Sequence, residues 1–139
     1  MQRGFSLVSA IFLLVVIAAL GTFAVTLSTT QHQSAAMDVM GSRAYQAARA
    51  GIEWVAYQVV NSSAPALAAP CSNTGLGPLG GTLSPFTVTV NWCAASHVEG
   101  ASIIWIYDVS AVACTDVTCP NPTPGANYVE RVISVKLGK

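Results

Sequence analysis

Four cysteines, Cys71, Cys93, Cys114 and Cys119, are the side chains best suited to covalent or metal chemistry in this sequence, and all follow a long uncharged stretch. An even number of thiols in a small exported domain reads as two disulfides, with three connectivities available. The competing reading is a four-thiolate zinc site using the C-x4-C pair, which an oxidising compartment disfavours. His32 and His97 are isolated and have no Cys, Asp or Glu nearby at ligand spacing. Ser62 and Ser63 lack the G-x-S-x-G context of a serine hydrolase. Asn61-Ser62-Ser63 matches the glycosylation acceptor pattern, a short motif with little specificity. Gly77-Pro78-Leu79-Gly80-Gly81 does not open a helix after a strand, so it is not read as a phosphate cradle. Trp54, Trp92 and Trp105 read as core or interface aromatics. The sequence therefore points to no catalytic residue, no cofactor and no metal.

The elements that position these residues follow from an uneven distribution of apolar side chains. The 139 residues are 53% hydrophobic and only 9% charged, with six basic residues balancing six acidic ones. An ordinary soluble domain has about 25% charged residues. Six scattered cations make no basic face for nucleic acid, and the apolar content argues against disorder. From Phe5 to Leu27 the chain reads FSLVSAIFLLVVIAALGTFAVTL, without charge or proline. As a helix it spans about 34 Å, against a hydrocarbon core of about 30 Å. Arg3 ahead of the span places the N-terminus on the cytoplasmic side. Two simpler readings compete: a plain one-span anchor, and a secretory signal cut after Ala19-Leu20-Gly21 to leave Thr22 first.

Helix-compatible sequence continues well beyond the apolar segment. No proline precedes Pro65, and the stretch from Thr29 to Val60 is rich in Ala, Gln, Met and Arg. Tyr45, Ala48, Ile52, Val55 and Val59 recur at spacings of three and four and predict one packing stripe. Gly21, Gly41 and Gly51 each weaken a helix by about 1 kcal/mol relative to Ala and are expected sites of bending. A helix over residues 5–60 would be about 80 Å long, apolar all round in its first half and amphipathic in its second.

Residues 61–84 are rich in Pro, Gly and Ser and read as loop. Three strands are predicted after it. Pro85–Cys93 places Phe86, Val88, Val90 and Trp92 on one face; Ser102–Cys114 does the same with Ile103, Trp105, Tyr107 and Val109; Tyr128–Leu137 with Val129, Ile133, Val135 and Leu137. The expected fold class is α+β: a long N-terminal helix packed on a small antiparallel β-sheet. A hairpin turning near Ala94–Ala101 would separate Cys93 from Cys114 by about 35 Å along the strands, far beyond the Cα–Cα limit of about 7 Å. A short bridge around the proline-rich turn then joins Cys114 to Cys119 and leaves Cys71 for Cys93.

Gly4-Phe5-Ser6-Leu7-Val8, opening an uninterrupted apolar helix, resembles the start of the type IV prepilins and pseudopilins. The stretch from Ser42 to Trp54 resembles the Ala-rich helix of minor pilins. Together with Pro124–Arg131 it makes the chain most similar to the MshP family of biogenesis proteins of mannose-sensitive haemagglutinin (MSHA) pili. The resemblance implies a leader over residues 1–4, cleavage between Gly4 and Phe5 by a prepilin peptidase, and N-methylation of Phe5. It further implies a transmembrane segment over 5–27, an amphipathic helix over 28–60 and a disulfide-tied periplasmic β domain over 61–139. The chain would first reside in the inner membrane as a single-pass protein and then join a pilus at the cell surface. Its partners would be other pilins, through the N-terminal helix, and the inner-membrane pilus assembly machinery.

One position departs from the pilin pattern. Where pilins usually carry Glu at the fifth mature residue, this chain has Ser9, which cannot neutralise the amine of a neighbouring subunit. The resemblance with this departure implies a non-catalytic minor pilin for initiation, assembly or tip formation. The alternatives are a type II secretion pseudopilin and a secreted binding or adhesive domain with a cleaved signal.

Overall fold

The computed structural model describes residues 4–61 and 70–139. The elements run in the order helix α1 (Gly4–Asn61), strand β1 (Cys71–Pro78), a 3₁₀ turn (Gly81–Leu83), then β2 (Thr87–Glu99), β3 (Ser102–Cys114) and β4 (Glu130–Gly138). The layout is α+β, a long apolar N-terminal helix and a small antiparallel sheet. Two compact units divide it, one ending at Asp38 and the other covering Val39–Lys139.

In the first unit α1 is helical without interruption, and every side chain from Leu7 to Asp38 is exposed. Leu14 and Ile17 are 70% and 68% accessible. The threonines in or just beyond the apolar stretch are satisfied within the helix. Thr22 Oγ1 donates to the Ala19 carbonyl at 2.8 Å, and Thr26 Oγ1 to that of Phe23 at 2.8 Å. Thr30 Oγ1 donates to the Thr26 carbonyl at 2.9 Å. Such back-bonds remove the cost of leaving a hydroxyl without a partner in an apolar medium.

In the second unit the four strands form one antiparallel meander in the order β1-β2-β3-β4. Alternation sends Phe86, Val88, Val90 and Trp92 inward from β2 and its approach, and Tyr107, Val109, Ala111 and Ala113 inward from β3. The later turns of α1 cover this face through Ala44, Ala47, Ala48, Val55 and Val59, all in the same core cluster. Lys139 closes the end of the helix: its Nζ donates to the Val59 carbonyl at 2.8 Å and to that of Val60 at 3.3 Å. Those carbonyls have no partner within the last turn, and a cation suits the negative end of the helix dipole.

Several sequence expectations are corrected. Of the expected packing stripe, Ala48, Val55 and Val59 are buried and Ile52 packs on the core, but Tyr45 is 52% exposed, and Gly41, Ala44 and Gly51 add buried positions. Packing begins near Met40, so residues 28–39 of the expected amphipathic stretch contribute no buried side chain. Gly41 and Gly51 do not break the helix; they permit close approach. A Cβ on Gly51 would lie 2.9 Å from Val88 Cγ1 and 3.1 Å from both Ala111 Cβ and Val90 Cγ2. A fourth strand, β1, occupies part of the expected 61–84 loop. Strand β2 passes Cys93 and runs to Glu99, so the hairpin turns at Gly100, whose φ is +63°. Cys93 faces Asp108 and Cys114 faces Thr87, about 20 Å apart along the ladder rather than about 35 Å. Both separations are too long for a bridge. Ile103, assigned inward, is 64% exposed, because the hairpin extends past the helix-covered part of the sheet.

Gly51→Leu is therefore expected to lower the urea midpoint of the sheet-bearing unit, with a loss of about 1–3 kcal/mol from overpacking. Gly21→Leu, at a position with no neighbour within 4 Å, should leave that midpoint unchanged when both are followed by circular dichroism.

Candidate functional site

The feature available for function in the first unit is a surface. Its side chains from Leu7 to Leu27 include Ile11, Phe12, Leu13, Leu14, Ile17, Leu20 and Phe23, each more than half exposed. The helix is long and apolar enough to cross a membrane, with mean hydropathy 2.7 in its most apolar window and none of that window buried. An apolar surface of this extent gains free energy by leaving water, at about 25 cal/mol per Å². Ser9 lies on this helix and is exposed. The helix begins at Gly4, with Phe5 in its first turn; Met1, Gln2 and Arg3 of the expected leader lie outside the described residues.

The cysteines are joined as two bridges in the second unit. Cys71, the first residue of β1, is linked to Cys93 directly opposite it on β2, with Cα atoms 4.0 Å apart. Cys114, the last residue of β3, is linked to Cys119 across a Cα–Cα distance of 5.7 Å. Their surroundings differ. Cys71 and Cys93 are exposed on the solvent face of the sheet, whereas Cys114 and Cys119 are 0% and 9% exposed beside Val112 and Tyr128.

The second bridge sits within a loop between β3 and β4 that is ordered by polar contacts. Thr89 Oγ1 donates to the Cys119 carbonyl at 2.7 Å, tying the loop to β2. Asn121 Oδ1 accepts from the Thr123 amide at 2.8 Å, and Asn121 Nδ2 donates to Asp116 Oδ2 at 2.5 Å. Thr115 Oγ1 accepts from the Val129 amide at 3.1 Å. Tyr128 joins these contacts: its hydroxyl accepts from the Asn121 amide at 3.1 Å and donates to Glu130 Oε2. Burial raises the Tyr128 phenol above its ordinary 10.0; the Asn121 amide pulls it down, and the Glu130 hydrogen bond with the charges of Glu130 and Asp116 raises it further.

Other candidates do not converge. His32 is exposed on α1 and His97 on the β2 end of the hairpin. Ser62 and Ser63 lie outside the described residues; Asn61, the acceptor of the motif, ends α1 with its Nδ2 donating to the Tyr57 carbonyl at 3.0 Å. No group of three or more His, Cys, Asp or Glu able to hold a metal ion occurs among the described residues. Gly77, with φ of +67°, lies at the register slip within β1, and Gly81, with φ of +64°, opens the 3₁₀ turn after it; no helix of useful length follows them. Trp54 and Trp105 pack at the margin of the core and Trp92 within it, where its Nε1 has no hydrogen-bond partner among the described residues. A shallow depression of about 420 Å³ crosses the solvent face between Asn91, Ser110 and Ser134 on one side and Cys93, Asp108 and Lys136 on the other. Lys136 Nζ meets Asp108 Oδ1 there at 2.5 Å, so the two charges neutralise each other.

Sequence reasoning missed the small-residue stripe and the Tyr128 contacts. The spacing Gly41, Ala44, Ala48, Gly51, three and four apart, carried the first signal. Nothing local in the sequence marked the second, because its partners come from the two ends of a loop. No protein-family model, curated protein or solved structure matches the chain.

Tyr128→Phe is expected to cost about 1 kcal/mol by leaving the Asn121 amide and Glu130 short of a partner. The folded-state pKa is raised, so this contribution is complete below pH 10.0 and is lost as pH rises through the folded-state value. The gap in thermal midpoint between wild type and Tyr128→Phe should therefore hold to pH 10 and narrow above it.

Proposed function

We propose that the chain is a non-catalytic minor subunit of a type IV pilus-like fibre, of the MshP kind. The observation that carries the reading is the unbroken helix α1, which runs from a fully apolar, uncovered segment into turns packed on a four-stranded antiparallel sheet. A cleaved secretory signal has no use for helical continuity past its cutting site. A subunit held first in lipid and then in a helical bundle requires it, since the same apolar surface serves in both media.

In this reading the apolar helix anchors the subunit in the inner membrane with the β domain in the periplasm. It then exchanges lipid for the equivalent helices of other pilins during extrusion. Prepilin peptidase removes residues 1–4, and the new Phe5 amine is methylated. Ser9 sits where a carboxylate would otherwise receive a neighbour's amine. An unpaired ammonium in an apolar bundle costs several kcal/mol, which confines the subunit to an initiating or tip position in few copies. The same architecture would serve a type II secretion pseudopilin, with different partners.

Intact-mass and N-terminal analysis of protein from the native cell is expected to give a chain starting at methylated Phe5. A soluble chain starting near Thr22 would establish the secreted-domain reading instead. Substitution of Ser9 by Glu is expected to spread the subunit along sheared fibres in immunogold images, while wild type marks one end. Uniform wild-type labelling along the shaft would contradict the assignment to a tip.

A further inference from the structure

Strand β1 differs from the three strands beside it. Its sequence, CSNTGLGP, contains Asn, two Gly and Pro, all poorly represented in strands. None of its residues is buried, and its register slips between Gly75 and Gly77. Leu76 is its one side chain packed on the core cluster. Beneath it, β2 carries Thr87, Val88, Thr89 and Val90, strong strand formers, with Val88 and Val90 at 0% exposure. Propensity and burial therefore hold β2 in the sheet with or without β1, whereas β1 has little of either. What remains for β1 is its ladder to β2 and the covalent tie at Cys71–Cys93.

The two disulfides also differ in access. Thiol–disulfide exchange requires a thiolate to reach a sulfur. Cys71 and Cys93 are exposed on the solvent face, while Cys114 and Cys119 are enclosed with Val112 and Tyr128. We infer that the Cys71–Cys93 bridge is a redox-sensitive latch, whose selective reduction releases β1 alone and opens the edge of β2. The reductant is a dithiol. One of its thiolates attacks an exposed sulfur to give a mixed disulfide and frees the other cysteine; its second thiolate then displaces the remaining one. Two electrons and two protons end on Cys71 and Cys93, and the reductant leaves as a disulfide. The opened β2 edge then presents its amides and carbonyls to solvent. This inference is independent of the fibre reading.

The test uses the full chain in detergent, titrated with dithiothreitol and quenched with iodoacetamide, followed by peptide mapping and amide hydrogen exchange. Cys71 and Cys93 are expected to be labelled about tenfold faster than Cys114 and Cys119 or more. Amides of residues 72–77 should then lose protection, while those of β3, β4 and the packed turns of α1 keep theirs. The Cys71→Ser/Cys93→Ser double variant should show the same pattern without reductant. Simultaneous labelling of all four cysteines, or earlier labelling of Cys114 and Cys119, would overturn the selectivity. Unchanged protection over 72–77 after reduction would overturn the latch, as would loss of protection throughout the sheet.

Discussion

Close approach of helix to sheet at Gly51 is the constraint from which the second unit is built. The helix backbone comes near enough to β2 and β3 that a single added carbon would meet Val88, Val90 and Ala111 inside normal contact distance. Glycine in mid-helix costs about 1 kcal/mol against alanine, and that cost is offset by the burial the approach allows. Val88, Val90 and Ala111 are wholly removed from water, as are Ala44, Ala47 and Ala48 on the helix. Larger residues at the middle of this face would push the helix away from the sheet. The larger side chains, Val55, Val59, Phe86 and Tyr107, complete the core around the point of contact.

This arrangement uses one part of α1; the other has no packing partner among the described residues. From Leu7 to Leu27 the helix has nothing to bury its apolar side chains against within the described residues. Its threonine hydroxyls, Thr22 and Thr26, are turned back onto its own carbonyls. A segment so prepared is suited to an environment without water, whether acyl chains or the side chains of similar helices. The β-sheet unit, by contrast, has its own core, its own bridges and a polar outer face.

What the sequence made legible follows the strength of local signals. Helix α1 was readable because nothing interrupts it before Pro65, and the inward residues of β2 and β4 because their alternation is regular. The buried stripe was right at Ala48, Ile52, Val55 and Val59 and wrong at Tyr45, because hydrophobic periodicity favours Tyr45 and passes over Gly41 and Ala44, yet a sheet pressed close to a helix selects small residues. Strand β1 was invisible for a physical reason: CSNTGLGP has no strand propensity of its own and is held by β2 and by Cys71–Cys93. The hairpin extension was missed because Ala94-Ala95-Ser96 carries no strand signal, and pairing with β3 decides its conformation. The cysteine pairing could be reasoned out because separation along strands excludes one connectivity even when the register is wrong. The Tyr128 contacts depend on tertiary placement alone.

The central claim is that a single continuous helix serves two environments, an apolar medium for its first half and the sheet for its second. Amide hydrogen exchange of the full chain reconstituted in lipid vesicles tests it most directly. The account expects two protected zones on α1: residues 7–27, shielded by the bilayer, and residues 41–59, shielded by the sheet. Detergent-free release from the vesicles should abolish the first zone and spare the second. Rapid exchange over residues 7–27 in intact vesicles would contradict the account, because the apolar half would then have found no medium to enter.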